Sequence, residues 1–143
     1  VIVDGAHNPA GAKVLKEALQ QSFPGKFTPT LKSLVWGFTV IYGCQGTKDY
    51  KSVIKELKPI IGQLIVTRST NPQSLEPGVI GAGYQGPGTR DQLLGTSPYA
   101  LAPSLDKALD QWDKRSPLLI TGSLFLVADA LNLFYNDSNE KNK

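Results

Sequence analysis

The chain opens with "VIVDGAHNPAGAKVLKEAL", Val1–Leu19, and this stretch reads as strand, turn and helix in direct succession. Val1–Val3 is apolar throughout, as expected of a strand covered on both faces. Asp4 leaves the strand end, and Gly5 permits a tight turn. Asn8 followed by Pro9 is an N-cap with proline at the first helical position. Val14, Leu15, Ala18 and Leu19 then form an apolar stripe at helical spacing. A strand that feeds straight into a one-faced helix is the repeating unit of an α/β layer fold. A strand starting at residue 1 has no approach segment, which is expected of a piece of a longer polypeptide.

The same unit recurs outward from this stretch. Leu34–Phe38, Leu64–Thr67 and Leu118–Thr121 are short apolar runs that predict further strands, with Tyr99–Leu101 as a fifth. Between them, Tyr50, Val53, Ile54 and Leu57 predict a helix. So do Leu105, Ala108, Leu109 and Trp112, and again Leu124, Val127, Ala128 and Leu131. Thr47 is the expected cap of the second helix and Ser123 of the last. Asn71–Gly88 contains Pro72, Pro77, Pro87 and several glycines and reads as a long loop with at most one helical turn. The predicted fold is α/β: a Rossmann-like three-layer domain over residues 1–135. Its sheet is mainly parallel, of about five to six strands, with helices on both faces and right-handed crossovers. Residues 136–143, "NDSNEKNK", are expected to form a flexible polar tail.

Composition narrows the function classes. The chain has 143 residues, a hydrophobic share of 41% and a net charge of +3. That supports one real core. There is no run of four Lys or Arg and no aromatic–basic alternation, so nucleic acid is not an expected partner. The mild basic excess suits a small anionic ligand. Cys44 is the sole cysteine, which excludes an internal disulfide and a multi-cysteine metal cluster and suits a reducing compartment. His7 is the sole histidine. A metal site would have to be built from oxygen ligands, and no metal ligand is assigned. No apolar run reaches the ~20 residues that span a bilayer, so no membrane partner is expected.

In an open parallel sheet, ligands gather beyond the carboxyl ends of the strands. That rule brings three turns together. Asp4, His7 and Asn8 follow the first strand. Thr47, Lys48 and Asp49 precede the second helix, and Thr121, Gly122 and Ser123 join the last strand to the last helix. Free N–H groups at a helix start favour anions, and the chemistry suggested is recognition of phosphate, carboxylate and ribose. Taken singly, each residue also has a plain structural use: Asp4 and Asn8 as turn and cap, Lys48 as a solvated helix start, Ser123 as an N-cap. Their coincidence on one edge favours the functional reading. Gly81–Gly86 matches G-x-G-x-x-G, but Pro87 and Gly88 follow, so no helix can open through it and a loop is the better account. No G-x-x-x-x-G-K-[ST] occurs, so the chain carries no phosphate-cradling loop of its own.

The segment "DGAHNP", Asp4–Pro9, resembles the start of the C-terminal domain of folylpolyglutamate synthases and dihydrofolate synthases, the folate branch of the Mur ligase superfamily. "TKDYKSVIKELKP", Thr47–Pro59, is similar to that family's D-K-D segment and following helix. "LLITGSLFLVADALNLF", Leu118–Phe134, resembles its closing G-S-L-[YF]-L-V segment. The resemblance implies an ATP- and Mg²⁺-dependent ligase. ATP phosphorylates a carboxylate of a folate or pteroate, and the amino group of L-glutamate attacks the acyl phosphate. It also implies an N-terminal ATPase domain upstream that holds most of the ATP and Mg²⁺, a cleft site between the domains, a monomeric protein and an intracellular location. By the same resemblance, Asp4, His7 and Asn8 bind the nucleotide, Lys48 and Ser123 hold glutamate, and His7 and Lys48 are catalytic. Three departures stand out. Thr47 replaces the first Asp of D-K-D, and Pro72-Gln73-Ser74 replaces P-R-A, leaving Arg68 or Arg90 to supply that cation. Phe38–Gly46 is longer than the family's usual spacing before Lys48. Two rivals remain open: a cell-wall amino-acid ligase, whose D-Y-A-H contrasts with Asp4-Gly5-Ala6-His7, and a noncatalytic binding domain derived from a ligase.

Overall fold

The computed structural model describes residues 1–27, 37–84 and 99–141. These form five strands: β1 (Ile2–Val3), β2 (Phe38–Tyr42), β3 (Ile61–Val66), β4 (Tyr99–Leu101) and β5 (Leu118–Thr121). Five helices accompany them: α1 (Pro9–Ser22), α2 (Tyr50–Leu57), α3 (Pro77–Ala82), α4 (Leu105–Asp110) and α5 (Leu124–Glu140). The sheet order is β1-β5-β2-β3-β4, and each neighbouring pair is parallel.

Alternation along the strands splits the core in two. Phe38, Val40, Tyr42, Leu64, Val66 and Leu119 face α1, α2 and α3. Ile41, Ile65, Leu118 and Ile120 face α4 and α5. The two sets interleave with the period of two that a pleated strand imposes. Three crossovers step in one direction across the sheet, with α1, α2 and α3 on one face. The crossover that returns, from β4 to β5, carries α4 on the other face. Reversing direction and face together keeps every crossover of one hand.

Several boundaries differ from the sequence reading. The third strand runs Ile61–Val66, not Leu64–Thr67, because Ile61 already pairs beside Phe38. The second strand is Phe38–Tyr42, not Leu34–Phe38, and every one of its residues is buried; residues 34–36 lie outside the described residues. Most of the stretch that reads as excess length before Lys48 is therefore the strand itself. α3 forms at Pro77–Ala82 inside the stretch that reads as a loop, nucleated by Pro77 at its first position. Gly81 abuts the Tyr99 ring, where a Cβ would lie 2.5 Å from Cε2, so this glycine of the G-x-G-x-x-G match serves packing. Gln85, Gly86, Pro87 and Gly88 lie outside the described residues. The polar stretch from Asn136 continues α5 as far as Glu140.

Two apolar stripes also turn. α1 buries Ala12, Leu15 and Leu19 and leaves Val14 66% exposed. α5 buries Leu126 and Ala130, while Leu124 and Leu131 lie in solvent. Both helices carry apolar residues beyond one stripe, so periodicity alone does not select the buried face.

Gly122, after β5, has φ of +110°. A Cβ there would sit 2.5 Å from the Gly43 carbonyl oxygen and 2.6 Å from Cε2 of Tyr42. Gly122→Ala is expected to cost at least about 1–3 kcal/mol from backbone conformation alone, with the clash added. Urea unfolding measures it, and a cost near zero would show that the turn has another geometry.

Candidate functional site

Sheet order decides which turns meet. β1, β5 and β2 are neighbours, so the turns leaving their carboxyl ends share one rim. The chain leaving β1 and β2 goes to the α1–α3 face, whereas the chain leaving β5 goes to the α4–α5 face. The turns diverge there and open a crevice, the switch point where α/β sheets hold ligands.

A cavity of about 80 Å³ lies at that point, with room for several waters or one small polar head group. His7 comes from the β1 turn, Gln45 and Lys48 from the β2 turn, and Gly122–Phe125 from the β5 turn. The structure thus brings together three residues expected to meet: His7, Lys48 and Ser123. Gln45 is not among the residues the sequence reading selects, because that reading ends the second strand at Phe38. Once Phe38–Tyr42 is read as the strand, Gln45 falls on the turn just beyond its end.

Each side chain has an identifiable hold. His7 Nδ1 lies 2.9 Å from the Gly5 carbonyl oxygen. A carbonyl can only accept, so Nδ1 carries the hydrogen and a neutral ring keeps its Nε2 lone pair free. Lys48 is fixed by backbone: its N–H donates to Gln45 O at 3.1 Å, and the Tyr50 N–H donates to its carbonyl at 3.0 Å. No ion pair among the described residues engages its ammonium. Ser123 is 4% exposed and caps α5, its Oγ accepting from the Phe125 N–H at 3.1 Å. Accepting there leaves its hydroxyl hydrogen for another partner.

Other expected residues stand apart. Asp4 accepts from the Ala6 N–H at 2.8 Å and lines a separate depression beside Ala10 and Val14 on α1. Asn8 caps α1, accepting from the Gly11 N–H at 2.8 Å. Thr47 is exposed, and the cap of α2 is Asp49, which accepts from the Ser52 N–H at 3.2 Å. The Ser52 side-chain hydrogen bond, and after it that backbone bond, holds the Asp49 carboxyl below its ordinary range. Thr121 is buried and donates to the Ala6 carbonyl at 3.4 Å, tying the β5 and β1 turns together. Arg68 pairs with Glu76 and lines a different cleft, so it does not supply a cation to this cavity; Arg90 lies outside the described residues. Among the described residues, no three His, Cys, Asp or Glu side chains converge to hold a metal ion, and no helix is long and apolar enough to cross a membrane.

No protein-family model matches the chain. It is 29% identical over 148 aligned residues to the dihydrofolate synthase/folylpolyglutamate synthase of Mycobacterium tuberculosis, an alignment that spans 96% of this chain and 28% of that protein. It is 31% identical over 129 residues to the folylpolyglutamate synthase of Lacticaseibacillus casei, spanning 90% of this chain and 25% of that one. The chain therefore spans little more than a quarter of the length of these relatives. The Mycobacterium tuberculosis folylpolyglutamate synthase solved with ADP and AMPPCP superposes with a TM-score of 0.70 at 25% identity, over 92% of this chain and 29% of that one. The Thermotoga maritima folylpolyglutamate synthase shares the fold, with a TM-score of 0.64 at 22% identity over 87% of this chain and 25% of that one. The resemblance carried by the three sequence segments is borne out: the chain is similar, along nearly its whole length, to part of these enzymes.

The floor under the β5 turn is Tyr42, fully buried, with Cys44 beside it at 1% exposed. Burial pushes the Cys44 thiol up to about 11, the neighbouring Tyr42 hydroxyl offsetting part of the rise. Burial likewise drives the Tyr42 phenol well above its ordinary range. Neither ionises near neutrality, so the floor contributes no charge to the cavity. The thiol binds its proton more tightly folded than unfolded, so the stability tied to it is complete below pH 9 and is lost as pH rises toward 11, while the loss tied to Tyr42 begins only near pH 10 and continues beyond that window. Stability measured by denaturant titration is expected to fall across that window, and Cys44→Ala is expected to flatten the slope. An identical slope in the variant would show that the thiol is already exposed.

Proposed function

We propose that this chain is the glutamate-binding domain of an ATP-dependent amide ligase that joins L-glutamate to a folate or pteroate carboxylate through an acyl phosphate. In this reading the domain runs from the start of the chain through α5 to Glu140, and an ATPase domain elsewhere in the same polypeptide faces the rim. The observation that carries it is the convergence of His7, Lys48 and Ser123 on one cavity, in a chain similar to folylpolyglutamate synthases.

Lys48 and the Ser123 hydroxyl, at the N-terminus of α5, bind the carboxylates of the incoming glutamate. A cation, a hydroxyl donor and a helix dipole are what a dicarboxylate requires. His7 Nε2, free to accept, takes the proton from the amine as its nitrogen attacks the acyl carbon. The C–N bond forms, the C–O bond to phosphate breaks, and inorganic phosphate departs. Lys48 also offsets the negative charge that gathers at that carbon. The cavity takes the glutamate, and the acceptor lies mostly on the rest of the polypeptide. Asp4 keeps one carboxylate oxygen beyond its turn bond and faces the nucleotide ribose, with His7 and the capped start of α1 beside the phosphates. ATP supplies the phosphoryl group that activates the acceptor. No metal cage converges on the described residues, so Mg²⁺ is assigned to the ATPase domain. Leu124, Leu131 and Tyr135, exposed on α5, and Val14 on α1 are surface that domain can cover. The reading places the protein inside the cell as a monomer.

The departures at Thr47 and Gln73 lie outside the cavity lining, which favours a working ligase over a noncatalytic derivative. The full polypeptide, given ATP, Mg²⁺ and labelled glutamate, is expected to transfer the label to a folate acceptor and not to a UDP-muramyl acceptor. Lys48→Ala should lower kcat/KM for glutamate about a hundredfold. His7→Ala should lower kcat by about 10²–10⁴ while thermal unfolding stays near wild type. Absence of transfer to every folate acceptor would overturn the reading.

A further inference from the structure

Gln45 lines the cavity with its backbone fixed on both sides. The Leu75 N–H donates to the Cys44 carbonyl at 2.8 Å, and the Gly46 N–H donates to the Gln73 carbonyl at 3.2 Å. Gln45 therefore faces Ser74 across a single antiparallel bridge. The Lys48 N–H donates to the Gln45 carbonyl at 3.1 Å and closes a four-residue turn, Gln45-Gly46-Thr47-Lys48, whose first and last Cα atoms lie within ~7 Å. Gln45 and Lys48 thus line the cavity from the two ends of one turn, and the exposed Thr47 sits at its tip. Ser74, opposite, directs its hydroxyl to Ser69 inside the protein. No hydrogen bond among the described residues engages the Gln45 side-chain amide.

The side chains around the cavity are rich in donors and poor in acceptors. Lys48 only donates. Ser123 Oγ already accepts from the Phe125 N–H, and Leu124 and Phe125 are apolar. His7 Nε2 and the Gln45 side-chain oxygen are the uncommitted side-chain acceptors. A dicarboxylate needs neither, because its carboxylates only accept. An amino group brings N–H donors, and more than one acceptor is required to fix its direction. We propose that Gln45 is the specificity residue for that amino group: its Oε1 accepts one N–H of the incoming amino acid while His7 Nε2 faces another. With both N–H groups held, the nitrogen lone pair has one direction left. A neutral amide suits this place, since a carboxylate at position 45 would pair with Lys48 across the turn and compete with the ligand. The cavity thereby selects an amino acid over a dicarboxylate of equal length that lacks the nitrogen. That the amino acid is glutamate rests on the ligase reading above; the role of Gln45 toward an amine does not.

The test uses the full polypeptide and Q45M, which keeps the length of an unbranched side chain and removes the strong acceptor. Labelled glutamate is bound at equilibrium with a non-hydrolysable ATP analogue present. Glutarate, the same dicarboxylate without the amino group, is the competitor. The wild type should hold glutamate at least about tenfold tighter than glutarate. In Q45M glutamate should bind about tenfold more weakly, with glutarate within about twofold of wild type. In the transfer assay kcat/KM for glutamate should fall by about tenfold or more, with KM for the folate acceptor within about twofold. A preference for glutamate that Q45M loses sustains the assignment even if the wild type transfers glutamate to no folate, and the ligase reading alone then falls. Transfer by Q45M at the wild-type kcat/KM overturns the assignment and leaves the ligase reading standing. Equal losses for glutamate and glutarate, or a wild type that holds glutamate no tighter than glutarate, overturn it as well.

Discussion

Backbone lies on backbone at the rim of the sheet, and the site depends on that contact. The turn after β5 presses Gly122 against the Gly43 carbonyl, and Gly43 presses in turn against the Thr67 carbonyl after β3. A Cβ at either glycine would fall within 2.7 Å of a backbone oxygen, closer than carbon and oxygen approach. Three neighbouring strands can therefore release their chains at the same level. Because they do, Ser123 starts α5 within reach of the turn that carries Gln45 and Lys48. A side chain at position 122 would lift the β5 turn and separate the Ser123 hydroxyl from the Lys48 ammonium. The cavity is thus set by the absence of atoms at two positions as much as by the residues lining it.

Much of this is legible in the sequence. Leu118–Thr121 and Tyr99–Leu101 are strands with the expected bounds, because a short apolar run flanked by Pro, Gly or Ser leaves few alternatives. Asn8-Pro9 and Ser123 cap the helices they are expected to cap, since capping is local chemistry. The second strand falls later than expected because two apolar runs lie end to end, at Leu34–Trp36 and Phe38–Tyr42. Thr39 interrupts the later run with a hydroxyl, which a strand buried on both faces seldom carries. In the fold that hydroxyl meets Ser116 Oγ at 2.6 Å inside the protein, a partner 77 residues away in sequence that no local pattern reveals. The buried faces of α1 and α5 escape the sequence for a related reason. Val14 and Leu131 are as apolar as the residues that pack, and only the position of the sheet decides which side is inside.

The order β1-β5-β2 is not legible either, yet it makes the site. Had β5 added beyond β4, the Gly122-Ser123 turn would stand at the far edge, away from His7. The return crossover through α4 instead inserts β5 between the first two strands. The histidine from one end of the sequence, the lysine from its first half and the serine near its other end then meet. Similarity to folylpolyglutamate synthases along nearly the whole chain concerns this arrangement as much as the individual motifs.

The two edges of the sheet treat polar groups in opposite ways. At the amino edge, Thr39, Ser116 and Asp113 form a closed set: Ser116 Oγ meets Thr39 at 2.6 Å and Asp113 at 3.0 Å. The Ser116 N–H reaches the same carboxylate at 3.1 Å, and the Trp112 indole donates to the Ser116 carbonyl at 2.9 Å. These polar groups satisfy one another and hold the fold, as burial requires. At the carboxyl edge the set stays open. Lys48 has its backbone fixed and its ammonium outside any ion pair of the described residues. His7 has one nitrogen fixed and the other free, and Ser123 has an acceptor used and a donor left. A fold that needed these side chains only for stability would close them on one another as it closes Thr39 on Ser116. Held at one end and without a partner at the other among the described residues, they fit the anion-binding role proposed for them.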